Sequence, residues 1–251
     1  MKKLMYLIAM AAVLAFGMVS CEKDENKNGS NASEEGATDL FSVSADSKVR
    51  FSKGNLVYEN GAFGFAPHQY DFGDYFGWGT GDNPTNNSRD AQDYLPYDEW
   101  GDHIAGGWRT LTKDEWYYLL FRRPNANKKL GTATVCGING VVLLPDDWEG
   151  AEINSNYYDC KWYNVYDSTS WASMESDGAV FLPAAGLAQP GTYQDTIMTQ
   201  VNESGVYWTS TLQENIGIAA FAVAISSCQT GLGGETFYIR TSVRLVKDEN
   251  D

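Results

Sequence analysis

Beyond residue 40 the chain alternates short apolar runs with turn-forming residues, a pattern that predicts a domain built mainly of short β-strands. Each run is rich in Val, Phe, Tyr, Ala or Leu and is bounded by Gly, Asn or Pro. The runs occupy 49–58, 62–66, 132–135, 141–145, 179–185, 206–211, 219–225 and 241–246. Between the third and the fourth run, GING at 137–140 contains the Asn-Gly pair typical of a tight hairpin.

One helix interrupts the strands, and the sequence marks both its start and its end. Thr112 and Glu115 have the spacing of a capping box, and Leu111 and Trp116 have the spacing of a hydrophobic staple. Trp116 and the two leucines that follow it share one helix face, and Pro124 ends the helix. These residues therefore predict a well-specified helix from Thr112 onward.

A second, shorter helix is predicted over 170–176, where SWASMES ends at Asp177-Gly178, a common C-cap. Two helices among many short strands and long Gly- and Asn-rich loops predict the α+β class. Roughly two hundred residues, 41–247, are enough for one domain with its own core, and 248–251 then form a tail. No internal repeat or linker divides the domain.

Residues 1–20 have the layout of a secretory signal. Lys2 and Lys3 precede an unbroken apolar run that ends in small or neutral residues before Cys21. The run is too short for a comfortable membrane span. We therefore expect the chain to be exported and residues 1–20 to be removed.

Residues 21–40 are polar and acidic, with no large apolar side chain before Leu40. Such a stretch cannot bury enough apolar surface to fold, because too little burial offsets the cost of ordering the backbone. We expect a flexible tether between Cys21 and the domain.

The chain is strongly acidic, with 33 acidic and 18 basic side chains and a net charge of -15. Removal of Lys2 and Lys3 with the signal leaves 16 basic side chains and a net charge of -17. This charge argues against nucleic acid as a partner and against electrostatic binding of anionic lipid through a basic segment. It is compatible with calcium binding.

Cysteine and histidine usage narrows the candidate chemistry. The cysteines beyond Cys21 are Cys136, Cys160 and Cys228. Their odd number leaves at least one outside a disulfide, and the sequence does not select the pair. With His68 and His103 as the only histidines and no CxxC motif, we expect no zinc site. His103 follows Asp102, but neighbours in sequence rarely point together, and no GxSxG nucleophile motif is present.

The segment from 77 to 93 is a candidate calcium loop. Oxygen-bearing side chains that suit this cation are concentrated in it, namely Asp82, Asn83, Asn86 and Asp90. Their spacing matches no EF-hand, and the same residue types build turns. Calcium is therefore a candidate cofactor, with a plain turn as the alternative.

A cluster of aromatic residues directly precedes this loop. The rings crowd a segment that cannot easily bury all of them, and they belong to Tyr70, Phe72, Tyr75, Phe76 and Trp78. Exposed rings of this kind stack on glycans or anchor protein partners. The alternative is an aromatic core beneath long loops.

Once the signal is placed, the residues around Cys21 resemble a bacterial lipobox, Val19-Ser20-Cys21, with Met18 where Leu is usual. The resemblance implies that Cys21 is diacylated and anchors the chain in the outer membrane. The stretch 22–25, EKDE, resembles the acidic export signal of Bacteroidota lipoproteins, which implies a surface-facing protein. The alternative is an ordinary cleaved signal with a chance cysteine.

The segment around the first helix also resembles a family signature. Trp108-Arg109, followed by Thr112, Glu115 and Trp116, is similar to the WR(L/T)xTxxEW pattern of formylglycine-generating-enzyme-like domains. The resemblance implies a C-type-lectin-like, sulfatase-modifying-factor-like fold. Within this signature we expect cap, staple and core roles, and we expect Arg109 to pair with a carboxylate in a buried position.

Three later blocks extend the resemblance in the same order along the chain. GAVFLPAAG at 178–186, YWTST at 207–211 and SVRLV at 242–246 are similar to blocks of the major-paralogous-domain (FISUMP) and related Bacteroidota lipoproteins. The resemblance covers about 41–247, essentially the whole domain. It bears on fold more than on function, because this fold carries enzymes, adhesins and receptors.

The sequence departs from both well-known activities of the superfamily. The sulfatase-activating enzymes bind copper through two closely spaced cysteines, whereas Cys228 has no such neighbour here. Calcium-dependent lectins carry EPN or QPD with a downstream WND, whereas this chain has Gln189-Pro190-Gly191 and a Trp208 followed by Thr-Ser. Neither activity is expected.

The function that we expect is therefore binding rather than catalysis. A non-catalytic, lipid-anchored envelope protein would recognise a glycan or a protein through its long loops, 66–106, 146–169 and 186–206. Two alternatives remain, an enzyme of the same superfamily with other chemistry and a structural subunit of a surface assembly. Ser168 and Thr196 lie in Asp-(Ser/Thr) sequences similar to Bacteroidota O-glycosylation sites.

Overall fold

The computed structural model describes residues 39–190 and 196–250, with the backbone alone for 190, 196 and 197. The described residues form a mixed α+β domain, which confirms the predicted class. The predicted signal, the lipidated Cys21, nearly all of the tether and the side chain of Thr196 lie outside the described residues. Within the described part, no helix is long and apolar enough to cross a membrane.

The two α-helices are α1, Lys113–Phe121, and α2, Ser168–Ser176. Three short 3-10 helices span Ala91–Tyr94, Trp100–His103 and Ala126–Lys128. The strands are β1 Phe41–Ser42, β2 Lys48–Phe51, β3 Leu56–Glu59, β4 Ala62–Phe65, β5 Arg109–Thr110, β6 Leu130–Val135, β7 Ile138–Leu143, β8 Asn164–Tyr166, β9 Val180–Pro183, β10 Leu187–Pro190, β11 Thr196–Thr199, β12 Ser204–Leu212, β13 Ala219–Ser226, β14 Thr230–Thr236 and β15 Leu245–Asp248.

Three small sheets and two hairpins carry these strands. One sheet has the order β1-β2-β15-β5, so it joins the first and last strands of the domain. A second has the order β8-β6-β7-β9, in which only β6 and β8 run parallel, and a third has the order β12-β13-β14. The pairs β3-β4 and β10-β11 form separate antiparallel hairpins. The long connections between these small sheets form the loops of the domain.

The helix α1 begins and ends as predicted. Thr112 Oγ1 accepts a hydrogen bond from the Glu115 amide at 3.2 Å, and the Thr112 amide donates to Glu115 Oε2 at 2.8 Å. This reciprocal pair is the predicted capping box. Trp116 and the following leucines are buried and pack in one core cluster with Leu111 and Phe51. The helix is therefore fixed at its N-terminus by polar bonds and along one face by apolar packing.

The hairpin predicted around 137–140 is present, but its turn lies earlier than the Asn-Gly pair. Val135 pairs with Ile138, so Cys136 and Gly137 are the two turn residues, with φ of 49° and 82°. Gly140 lies within β7, where a Cβ atom would collide with the Leu182 carbonyl oxygen of β9. The glycine is needed for close strand packing rather than for the turn.

Three predicted boundaries also need correction. The helix α2 begins at Ser168, because Asp167 caps it by accepting the Ser170 amide at 2.8 Å. The last strand begins only at Leu245, since Thr241 and Ser242 make isolated bridges and 243–244 belong to no strand. It extends to Asp248, two residues past the predicted end of the strand at 246.

Candidate functional site

A cleft of about 360 Å³ opens between the segment 74–76, the loop at 84–85 and the β10–β11 hairpin. Its lining combines aromatic rings, one carboxylate and one guanidinium, and consists of Tyr58, Asp74, Tyr75, Phe76, Pro84, Thr85, Ala188, Met198 and Arg240. We refer to it as the Asp74 cleft. Its lining residues offer both polar and aromatic contacts.

Reciprocal backbone bonds fix two walls of the Asp74 cleft. The amide of Phe76 donates to Thr241 O, and the amide of Thr241 donates to Phe76 O, both at 3.0 Å. In the same way Ala188 and Arg240 exchange bonds of 2.8 and 2.9 Å. Because 240 and 241 are neighbours, the segment carrying Phe76 and the hairpin strand carrying Ala188 meet across one short stretch of chain. The cleft is therefore part of the packed scaffold.

The polar side chains of the cleft are held by the backbone around them. Asp74 Oδ2 accepts the Tyr58 amide at 2.7 Å, which fixes the carboxylate against β3. The Tyr75 hydroxyl donates to the Ala185 carbonyl at 2.5 Å. Burial, helped by the nearby Asp74 charge, raises the pKa of Tyr75 to about 12. The hydroxyl group of Tyr75 is therefore protonated at physiological pH. The side chain of Asp74 is the hydrogen-bond acceptor that the cleft offers.

The five predicted contact rings do not form one exposed surface. Phe76 and Trp78 are 1% and 2% exposed, so these two rings are not exposed contact residues and follow the alternative, an aromatic core beneath long loops. Trp78 stacks on Phe237 at 4.8 Å and donates through Nε1 to Thr209 O at 2.9 Å. Phe76 and Trp78 are two residues apart on an extended, bridged segment, so they point together into the core.

The other three rings are half-buried and lie in different places. Tyr75 lines the Asp74 cleft, and the buried Phe76 borders it. Tyr70 stacks on His68 at 4.8 Å and packs against the cluster around Trp171. Phe72 offers its carbonyl oxygen to Asn55 Nδ2 at 2.9 Å. Only Tyr75 and Phe76 of the predicted set therefore meet at one site.

The candidate calcium residues make turn hydrogen bonds. Asn86 donates through Nδ2 to Asp93 O and accepts the Ser88 amide at Oδ1, both at 3.0 Å. Asp90 Oδ1 accepts the Gln92 amide at 3.0 Å and caps the first 3-10 helix. Asp82 and Asn83 are exposed in the same loop. No group of three His, Cys, Asp or Glu side chains placed to hold a metal occurs within 39–190 and 196–250, and calcium binding stays a prediction.

The residues that resemble a family signature belong to the scaffold and are not part of the Asp74 cleft lining. Trp108 packs edge-on against Phe65 at 4.8 Å, and Lys247 lies 4.7 Å over its ring. Arg109 is half-buried and pairs with Glu115 and Asp248, each through two hydrogen bonds. Burial opposes the charge of Arg109, yet the bonds to these carboxylates raise its pKa.

The structure shows which cysteines are bonded to each other and which carboxylate lies next to His103. Cys160 and Cys228 form a disulfide that joins the loop after β7 to the turn between β13 and β14, and Cys136 lies outside it in the hairpin turn. His103 Nε2 lies 2.5 Å from Asp98 Oδ1, so its carboxylate partner is Asp98 instead of Asp102. Ser168 is exposed at the start of α2, and its modification stays a prediction.

Sequence reasoning missed most of the cleft lining. Asp74 lies inside the aromatic cluster that the sequence identified, where two aspartates, Asp71 and Asp74, stand among the five rings. Arg240 and Met198 come from distant parts of the chain, and nothing in their local sequence links them to Tyr75. Only the pairing of 240–241 with two other segments brings them together.

Comparison of the chain with protein-family models, with curated proteins and with solved structures finds no match.

Proposed function

We propose that this chain is a cell-envelope lipoprotein with a C-type-lectin-like domain that binds a glycan without transforming it, and that the Asp74 cleft is the binding site. The observation that carries the proposal is the composition of the cleft, in which the rings of Tyr58 and Tyr75 accompany one carboxylate and one guanidinium. Its volume of about 360 Å³ lies within the roughly 300–1,000 Å³ of small-ligand sites.

The chemistry of the lining suits a saccharide. Aromatic faces such as Tyr58 and Tyr75 pack against the apolar face of a sugar ring. Asp74 accepts hydrogen bonds from hydroxyl groups, and Arg240 donates them. Each charge-assisted bond of this kind contributes about 1.5–3 kcal/mol when water is excluded. A protein ligand, the other candidate from the sequence, fits this small concave site less well.

Binding rather than catalysis is supported by the groups that line the cleft. Among the described lining residues the single carboxylate is Asp74, and its Oδ2 is already held by the Tyr58 amide. The pair His103–Asp98 lies outside this lining. An enzyme of the same superfamily therefore remains the second hypothesis, with no group in the cleft arranged as an acid–base pair.

The location follows from the N-terminal sequence. A lipid on Cys21 would hold the domain at the outer membrane, and residues 21–40 would carry it away from the membrane surface. The net charge of -15 supports a partner other than nucleic acid. The proposal is therefore a surface-facing glycan receptor.

A glycan array followed by titration calorimetry tests the proposal. We expect saturable binding of at least one saccharide and about tenfold weaker binding by Asp74→Asn, which keeps the acceptor for the Tyr58 amide but loses the charge. Asp71→Asn is the matched control, since Asp71 pairs with His68 outside the cleft lining. A glycan array without binding, or equal losses of affinity in the Asp74→Asn and Asp71→Asn variants, would contradict the proposal.

A further inference from the structure

A second concavity, of about 270 Å³, lies between the C-terminal half of α1 and the loop that leads to Cys160. We call it the α1 groove. Its lining is mainly apolar and includes Leu120, Phe121, Ala126, Leu130, Ser155 and Tyr157. Neither the family resemblance nor the glycan proposal gives this groove a role.

The groove is built on the core and held open by fixed elements. Leu120 and Leu130 belong to the main core cluster, and Tyr157 packs against it. The Tyr157 hydroxyl lies 3.3 Å from Thr230 Oγ1, and the disulfide from Cys160 ties the same loop to the neighbouring turn. A partner therefore meets a preorganised concavity, which lowers the entropy cost of binding.

Two features of the lining are costly in water. Phe121 is 43% exposed, and its ring lies 5.4 Å from the exposed ring of Tyr117. Ser155 Oγ is buried and has no hydrogen-bond partner among the described residues. A buried hydroxyl without a partner costs about 1–3 kcal/mol. An occupant with an apolar group and an adjacent polar atom relieves both costs.

Basic residues directly follow two of the lining residues in the sequence, Arg122 after Phe121 and Lys128 after Asn127. Arg122 stacks on the Tyr117 ring, with Nη2 donating to the Tyr117 hydroxyl at 3.1 Å. The side chain of Lys128 is 67% exposed, and Glu152, its carboxylate neighbour at 4.0 Å, is 90% exposed. An exposed pair at that distance contributes little. Arg122 and Lys128 therefore place two cations beside lining residues, and Glu152 is the acid paired with Lys128, in a chain of net charge -15.

From these observations we propose that the α1 groove docks a polypeptide partner that inserts one large apolar side chain and places carboxylates against Arg122 and Lys128. The volume of about 270 Å³ lies below the roughly 300–1,000 Å³ typical of small-molecule sites. It suits a single anchoring side chain in a desolvated pocket, the usual centre of a protein interface. The two cations beside the lining favour an acidic partner and steer it to the groove.

The test uses two sets of synthetic twelve-residue peptides, each with one central Leu, Phe or Trp, flanked by Glu in the first set and by Lys in the second. Binding to the full-length protein is measured by fluorescence anisotropy. We expect binding from the Glu-flanked set, about fivefold weaker binding by Lys128→Glu and about tenfold weaker binding by Phe121→Ser.

The control is Lys161→Glu, since the Lys161 side chain is also 67% exposed and also takes part in one surface ion pair. Its affinity is expected to stay within about twofold of the parent protein. Absence of binding by both peptide sets, equal binding of the two sets, or an unaltered Lys128→Glu variant overturns the proposal. Binding of decanoate in place of any peptide overturns it in favour of a lipid-like ligand. Melting temperatures of all variants identify any loss that comes from unfolding.

Discussion

The guanidinium of Arg109 on β5 holds the carboxylate of Asp248 on β15 through two hydrogen bonds, Nε to Oδ2 at 3.0 Å and Nη2 to Oδ1 at 2.7 Å. The same guanidinium holds Glu115 in the first turn of α1, at 3.0 and 2.8 Å. Glu115 also completes the capping box with Thr112. One side chain therefore connects an edge strand, the last strand of the domain and the start of its main helix.

Arg109→Ala is expected to lower the free energy of unfolding by about 2–3 kcal/mol. The substitution leaves two half-buried carboxylates without their cation, and this loss exceeds that of an ordinary surface pair. Arg109→Lys is expected to recover only part of the loss, because an ammonium cannot make paired bonds to two carboxylates. Urea unfolding measures both variants. Lys128→Ala, which breaks an exposed pair with Glu152, is the control and is expected to change little.

The same pair makes stability depend on pH in the acid range. The hydrogen bonds from Arg109 lower the pKa of Asp248 below its ordinary 3.8. A carboxylate with a depressed folded pKa stabilises the protein above its unfolded pKa and loses this contribution as the pH falls through the folded pKa. We therefore expect the difference in stability between the parent protein and Asp248→Asn to be constant above about pH 5 and to shrink below about pH 4. A constant difference down to pH 2 would contradict this expectation.

The elements that the sequence predicts well are those with local signals. The capping box of Thr112 and Glu115 and the buried face beginning at Trp116 need only residues a few positions apart, and both are confirmed. Arg109 was expected to pair with a carboxylate, and it does. One of its partners, Asp248, lies 139 positions away, so no local pattern could have identified it.

The elements that the sequence misses depend on tertiary pairing. The strand β14 has the sequence TGLGGET, whose glycines argue against a strand, yet it pairs with β13 along its full length. Asn139-Gly140 has the chemistry of a turn, but packing against β9 requires glycine within the strand. The cleft lining was missed for the same reason, since Asp74 and Arg240 meet only through long-range pairing.

The disulfide is expected to stabilise the domain substantially. Cys160 and Cys228 are separated by 68 positions, and closing a loop of that length contributes about 4 kcal/mol in the chain-entropy description. Cys160→Ser should therefore lower the melting temperature by many degrees, whereas Cys136→Ser should leave the disulfide intact. Peptide mapping of the unreduced protein checks the connectivity. A bond from Cys136 to either of the other cysteines would refute this pairing.

Gln69 accepts a hydrogen bond from the buried guanidinium of Arg244, and we expect this contact to contribute strongly to stability. Arg244 is 1% exposed, burial lowers its pKa to about 10, and its Nη2 donates to Gln69 Oε1 at 2.9 Å. The same oxygen accepts the Phe181 amide at 2.6 Å, and Gln69 Nε2 donates to Ala179 O at 3.0 Å. Gln69→Leu removes both acceptor bonds, so we expect a loss of about 3–5 kcal/mol in the free energy of unfolding.

Gln69→Glu separates the two causes of that loss. A carboxylate at this position keeps an acceptor for Phe181 and supplies a counter-charge to Arg244, but it loses the donor to Ala179 O. We expect it to be less destabilising than Gln69→Leu, because a buried arginine gains more from an adjacent anion than one neutral bond contributes. Denaturant unfolding at pH 7 compares the two, and exposed Gln92→Leu is the control. Equal losses for Leu and Glu would mean that the bonds to the Ala179 and Phe181 backbone, and not the arginine, determine the stability of this position.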